Sequence, residues 1–302
     1  KMVKHKKNKI REPFGDRVFT VINGVFLAFC FLIVAYPLIF IVSASFSDSS
    51  AVIRGEVWLL PVGFDLKAYE AVFRSSKIMS GYMNSIIYTV LGTLVNLILT
   101  TLTAYPLSRS KLFGKKGITW YFLFTMFFSG GLMPLYITIN DLGLLNTMWS
   151  VILVGGISIY NMIVMRTFFQ SSIPEDIYEA AYLDGCSDIR MLFTIVLPLS
   201  KSILAVMVLY YAVWHWNDYF NALLYLSDPL KSPLQLVLRE ILVLNKMDGQ
   251  MVQSASSMAS RAGMYELLRY AVIVVASVPV LCIYPFVQKH FVKGVMIGSV
   301  KG

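Results

Sequence analysis

Charge is scarce in this sequence. Asp, Glu, Lys and Arg make up 14% of 302 residues, where a soluble domain carries roughly a quarter. Hydrophobic residues reach 57% and mean hydropathy is +0.67, which points to a chain surrounded mostly by lipid. Cysteine is also sparse: Cys30, Cys186 and Cys282 lie far apart. They have neither ligand spacing nor a disulfide framework, and read as small buried hydrophobes. A phosphate-cradling G-x-x-x-x-G-K-[ST] run is missing, since Gly114-Lys115-Lys116-Gly117 is too short, so the chain cannot hydrolyse ATP alone. His215 and Asp218 are three positions apart, but two groups do not make a metal or acid–base site. The sequence reads as a non-enzyme with no metal and no cofactor of its own.

The net charge of +9 could suggest nucleic acid, but its distribution argues against that. Lys1, Lys4, Lys6, Lys7, Lys9, Arg11 and Arg17 precede the first apolar run, and most other basic residues flank later ones. Six segments reach the roughly 20 apolar residues a bilayer requires, near 18–43, 82–107, 118–139, 149–169, 201–226 and 267–288. The first follows a basic stretch like a signal peptide, but its apolar core exceeds the usual 7–15 residues, roughly, of a cleaved one. With the N-terminus inside, seventeen of the 26 Lys and Arg fall on the cytoplasmic side. The expectation is an all-α integral membrane protein with six transmembrane helices, N-in and C-in. A basic arm (1–17), a six-helix transmembrane domain (18–288) and a cytoplasmic tail (289–302) make up the chain. Between spans one and two, segment 44–81 carries Val57, Trp58, Leu59, Leu60, Pro61, Phe64 and Tyr69, and should fold onto the helices. The stretch 245–263, rich in Ser, Met and Gly, reads as exposed and flexible.

Helix–helix connections usually span about two to eight residues, yet the one between spans four and five covers 171–200. It has helical grammar. Ser172-Ile173-Pro174-Glu175 matches a capping box, opening a helix over 174–184. Gly185 suits a left-handed stop. Ser187 or Asp188 can cap a second helix carrying Ile189, Leu192, Phe193 and Val196, and Pro198 restricts Leu197 at the turn into the membrane. Glu175, Asp176, Glu179, Asp184 and Asp188 make this loop acidic where the other loops on that side are basic. Anionic lipid repels such a helix and a basic partner attracts it. Ala180 and Ala181 leave room for a partner backbone.

Glu179-Ala180-Ala181, then Gly185, then Ile195-x-Leu197-Pro198, is similar to the EAA motif of ABC-importer permeases at every defining position. Phe128-Ser129-Gly130-Gly131-Leu132-Met133-Pro134, Trp216-Asn217 and the tail from Phe291-Val292-Lys293-Gly294 to Lys301-Gly302 resemble the MetI-like transmembrane domain of the MalG-like carbohydrate branch. The resemblance implies that Glu179, Ala180, Ala181, Gly185, Ile195, Leu197 and Pro198 form the coupling element seated in an ATPase subunit. It also implies a second homologous permease in a heterodimer, two ATPase subunits that bind the ATP and Mg, an extracellular solute-binding protein and an oligosaccharide cargo. The site would be the plasma membrane of a bacterium.

Span five holds the most polar intramembrane cluster: His215, Asn217, Asp218 and Asn221 among Tyr210, Tyr211, Trp214, Trp216, Tyr219 and Tyr225. A central Asp costs about 2.5–3.5 kcal/mol on insertion scales, so Asp218 should face a partner or water. Asn217 and Asn221, one turn apart, can share a face. Trp214, Trp216, Asn217, Asp218 and Asn221 are therefore candidates for a sugar pathway. An interfacial aromatic belt or polar helix–helix packing explains the same residues. Gly130, Gly131 and Pro134 in span three, like Gly155-Gly156 in span four, fit close helix packing or a hinge. Two rivals remain, an importer permease for a non-sugar solute and an ion-driven secondary transporter. The latter leaves the acidic loop without a role.

Overall fold

The computed structural model describes residues 13–110, 112–243 and 258–299. Most of the basic arm, the 245–257 stretch and the last three residues of the tail lie outside them. Among the described residues every regular element is helical.

Two compact units divide the chain, residues 1–69 with 255–274, and 70–254 with 275–302. In the first, α1 (Phe14–Ser45) has a long apolar stretch with none of it buried, and only its last turn, Ser43–Ser45, is covered. That turn seats the connection that follows. Ser43 Oγ donates to the Leu59 carbonyl at 2.7 Å, Ser45 Oγ pairs with the Tyr69 hydroxyl at 2.7 Å, and Ala44, Ala51 and Val57 close a small core with Phe40, Val52 and Tyr270. Helices α2 (Ser49–Ile53) and α3 (Lys67–Arg74) punctuate it. Of the seven residues expected to carry 44–81 inward, Val57 is buried and Tyr69 half-buried. Trp58, Leu59, Leu60, Pro61 and Phe64 point outward, so this segment keeps an apolar surface.

The second unit is organised by α4 (Ser76–Ser108), capped by Ser75, whose hydroxyl accepts from the Ile78 N–H. Its buried stripe includes Gly81, Ser85, Gly92, Asn96, Thr100 and Ala104, recurring at three- and four-residue steps. Its exposed face carries Met83, Ile87, Val90, Leu94, Ile98 and Leu102. A soluble helix has the reverse pattern. In lipid no hydrophobic force draws helices together, so small and hydrogen-bonding residues form the contact face and apolar ones meet the tails. This stripe packs mainly on α12 (Lys201–Asn217), α8 (Ile159–Ser172) and α14 (Leu234–Leu242).

The remaining expected spans are less regular. Residues 118–139 form two helices, α5 (Lys115–Phe127) and α6 (Leu132–Asp141), meeting at 112°. The close-packing reading of Gly130 and Gly131 fails. Gly131 has φ +87° with nothing near its would-be Cβ, so the glycine serves the bend. Residues 149–169 contain the short α7 (Trp149–Ile152), a connector and then α8. Within the connector Gly155 has φ +73°, and the Trp214 ring lies about 3.1 Å from where a Cβ would sit, so this glycine serves both conformation and packing. Residues 201–226 break between α12 and α13 (Phe220–Tyr225). The last expected span lies within α15 (Met258–Ser299), which also makes 258–263 helical rather than irregular. Among the described residues three helices are long and apolar enough to cross a membrane alone, and up to five spans result if each bent pair counts as one. Cys30 and Cys282 are exposed on their helices rather than buried, while Cys186 is half-covered.

Candidate functional site

The 171–200 loop forms two helices at a sharp corner. Helix α9 (Glu175–Leu183) ends in a Schellman arrangement: Cys186 N–H donates to the Ala181 carbonyl at 2.9 Å and Gly185 N–H to the Tyr182 carbonyl at 3.0 Å. Gly185 has φ +72°, a conformation that costs a side-chain-bearing residue about 1–2 kcal/mol. Ser187 then caps α10 (Asp188–Met191) by accepting from Arg190 N–H at 3.4 Å. The Tyr182 hydroxyl crosses the corner to donate to Asp188 at 2.5 Å, and that bond, with burial, raises its pKa.

The start of α9 departs from expectation. Ser172 is the last residue of α8 and Pro174 occupies the N-cap, so the capping box does not form. Glu175 instead reaches the end of α4, where Ser110 Oγ donates to it at 3.1 Å and the Arg109 guanidinium lies 3.6 Å away. The far end differs too. Leu197 stays helical despite preceding Pro198, because a π turn over Leu192–Val196 widens the helix ahead of the proline ring. After α11 (Leu197–Leu199) the chain turns by 86° at Ser200 into α12.

These turns sort the motif residues. Glu179, Ala180, Gly185 and Pro198 are exposed, and Ile195 and Leu197 are half-buried. Ala181 faces the chain's own core with Tyr178, Met191, Leu192 and Val196, so close approach by a partner is open at Ala180 but not at Ala181. Among the described residues Asp176, Glu179 and Asp184 form no ion pair, whereas Glu175 and Asp188 are held internally. Leu183, Ile189 and Phe193 stand out at 90%, 73% and 60% exposure. Of the four apolar residues carried by the second helical stretch, Leu192 and Val196 are buried while Ile189 and Phe193 are not. The loop therefore presents unpaired acids beside uncovered apolar side chains. Apolar residues on a polar loop were the signal for these three.

Arg109 anchors the loop to α4. It is 8% exposed, and its Cζ lies 3.4 Å above the centre of the Tyr178 ring. A desolvated stack of this kind contributes about 2 kcal/mol. The half-exposed pair with Glu175 adds ~1 kcal/mol at most. Burial raises the Tyr178 hydroxyl pKa, while the neighbouring Arg109 charge opposes the shift. Burial also lowers Lys115, which donates to the Arg109 carbonyl at 2.9 Å and helps to close the C-terminus of α4.

The second candidate cluster divides. Trp214 lines a cavity of about 490 Å³ with Gly155, Ser158, Tyr160, Asn161 and Tyr210. Trp216 is buried: its indole donates to the Ala276 carbonyl at 3.2 Å and meets Tyr82 edge-on. Asn217 and Asn221 do not share a helix face, because α12 ends at Asn217. Asn217 donates back to the Val213 carbonyl, and Asp218 accepts from both the backbone and the side-chain amide of Asn221, capping α13. A short polar side chain that caps the next helix ends the first. His215 is buried against Asn96 Oδ1 at 3.2 Å and covers Gly92, so it joins α12 to α4. Ser158 and Asn161 gave no sequence signal, being isolated in an apolar stretch. Among the described residues no group of three His, Cys, Asp or Glu forms a metal-binding cluster.

Residues 9–297 match the family described as binding-protein-dependent transport system inner membrane component. The chain is 41% identical over 288 residues to the polygalacturonan/rhamnogalacturonan transport system permease protein YtcP of Bacillus subtilis, covering 95% of this chain and 99% of the relative. It is 30% identical to the galactooligosaccharides transport system permease protein GanQ of the same organism, covering 91% of this chain and 93% of the relative. A solved chain from a bacterial ABC transporter involved in the import of the acidic polysaccharide alginate superposes with a TM-score of 0.86 at 34% identity. That match covers 94% of this chain and 100% of the other.

Proposed function

Because the chain belongs to the family of binding-protein-dependent transport system inner membrane components, we propose that it carries an oligosaccharide across the plasma membrane of a bacterium. It is a membrane permease subunit of an ABC importer and not itself an enzyme. In the proposed assembly it pairs with a second, homologous permease, and two separate ATPase subunits bind ATP and Mg. An extracellular binding protein delivers the cargo. The chain crosses the membrane six times with both termini inside, so the 171–200 loop faces the cytoplasm. Polygalacturonan, rhamnogalacturonan and alginate, the cargoes of the relatives, make a uronate-containing oligosaccharide the first candidate.

The observation that carries this reading is the loop itself. Among the described residues Asp176, Glu179 and Asp184 have no ion-pair partner, and they lie beside exposed Leu183, Ile189 and Phe193 and a corner fixed by Gly185. A basic, partly apolar cleft on an ATPase complements that surface. When ATP closes the two ATPases, the loop moves and α12 moves with it, shifting the cavity's exposure from one side to the other. Around the cavity, Trp214 and Tyr210 suit sugar ring faces, while Ser158 and Asn161 suit hydroxyls. The remaining pathway candidates, Trp216, Asn217, Asp218 and Asn221, would shape that passage by holding α12 and α13.

The test is uptake by proteoliposomes containing the complete complex. Accumulation of oligogalacturonides or alginate oligosaccharides should require both internal ATP and the external binding protein. Uptake driven by an ion gradient without ATP would contradict the reading.

A further inference from the structure

We propose that Arg109 is a positioning residue that links the coupling loop to α4, giving the loop a mechanical route into the membrane beyond the two helices it joins covalently. The proposal rests on the coupling role given to the loop above. Covalent routes run from α9 back through Ile173-Pro174 into α8 and forward through α10, the π turn and α11 into α12. No such connection leads to α4: Ser110 and Glu175 meet across 65 positions of sequence.

The geometry is specific. The helix ends at Ser108, and Arg109 adopts an extended backbone with φ −73° and ψ 142°. Its guanidinium stacks on Tyr178 and faces Glu175, two residues of α9 on the same side as each other, one turn apart. Tyr178 immediately precedes Glu179. Ser110 holds Glu175 from the same strand of chain, and Gln170 Nε2 donates to the Ser108 carbonyl at 3.2 Å. Apolar burial under α9 is non-directional and tolerates sliding. A planar guanidinium held between a ring and a carboxylate fixes both register and orientation.

From this end α4 reaches the rest of the unit. Thr100 Oγ1 pairs with the Tyr211 hydroxyl at 2.6 Å, and Asn96 meets His215. At the opposite end Asn84 donates to the Leu230 carbonyl at 2.7 Å, and Ser85 accepts from Leu234 N–H at 2.8 Å. Displacing α9 therefore loads α4 along its length as well as α12 at its start. A cavity of about 250 Å³ lined by Tyr105, Arg109, Tyr182 and Asp188 adjoins the stack, which leaves the side chain room to change partners as the loop moves.

The experiment compares sugar taken up per ATP hydrolysed by the complete reconstituted complex for wild type, Arg109→Ala, Arg109→Lys and Tyr178→Leu. With ATPase subunits still copurifying, Arg109→Ala and Tyr178→Leu should lower that ratio by at least about fivefold. Arg109→Lys, which keeps the charge toward Glu175 but loses the planar stack, should fall between them and wild type. A wild-type ratio in Arg109→Ala overturns the proposal. So does a loss of uptake that merely tracks lost assembly, with the ratio unchanged. If Arg109→Ala fails to assemble, Tyr178→Leu and Arg109→Lys carry the test by the same criterion. Gly185→Val separates the two levels: normal coupling there contradicts the loop's role itself. Uncoupling there alongside normal coupling in the Arg109 and Tyr178 variants overturns only the Arg109 route.

Discussion

The 171–200 loop and the 214–221 segment are two polar interruptions of an apolar chain, and they spend their polar groups in opposite ways. At the end of α12, Asp218 and Asn221 satisfy each other, Asn217 returns to its own helix, and His215 meets Asn96. In the loop, Asp176, Glu179 and Asp184 are left without ion-pair partners among the described residues, and Leu183, Ile189 and Phe193 are left uncovered. Polar residues that find partners inside the chain shape it. Those left open on a rigid corner point to something outside it.

If the inner segment is architecture, packing changes should break it hardest. A Cβ at position 92 would collide with the His215 ring. Gly92→Leu should force α4 and α12 apart and reduce recovery of folded complex by at least about tenfold, as overpacking a tight contact does. Size-exclusion yield measures this. The next effect belongs to the loop. Gly185→Val places a β-branched residue at φ +72°, and should cut uptake per ATP at least about fivefold while the membrane helices persist. Smaller still, Tyr211→Phe removes the bond to Thr100 within the helix contact, a loss of about 0.6–1.7 kcal/mol that lowers the thermal denaturation midpoint. Asp218→Asn should be smallest. The new amide keeps one acceptor for Asn221, so uptake stays within about twofold of wild type, as one modest hydrogen bond is lost. A large fall would draw that side chain into the transport path and blur the contrast between the two regions.

Much of the loop was legible in its residues. Glycine at 185 is required by a left-handed position, serine at 187 is a strong cap, and the acids stood out against basic neighbours. The Ser172 capping box was not realised, because α8 continues through Ser172 and Glu175 is claimed by Arg109 and Ser110, a contact no local pattern contains. Pro198 reads in the sequence as a sharp boundary. The π turn absorbs it, a backbone adjustment that composition does not encode. In the membrane, apolar length located α1 and α4 directly. It did not reveal that residues 118–139 bend by 112°, since Gly130 and Gly131 permit packing and bending alike. The Trp214 cavity was half visible: aromatic residues announced it, but its facing wall at Ser158 and Asn161 comes from a different helix.

The loop's docking role is tested most directly by the affinity of the ATPase subunit for the detergent-solubilised permease pair carrying Glu179→Arg, measured beside wild type. Reversing an unpaired, exposed acid on the docking corner should weaken ATPase binding by at least about tenfold, since like charges across an interface cost several kcal/mol. Wild-type affinity in Glu179→Arg at low and moderate salt would contradict the account.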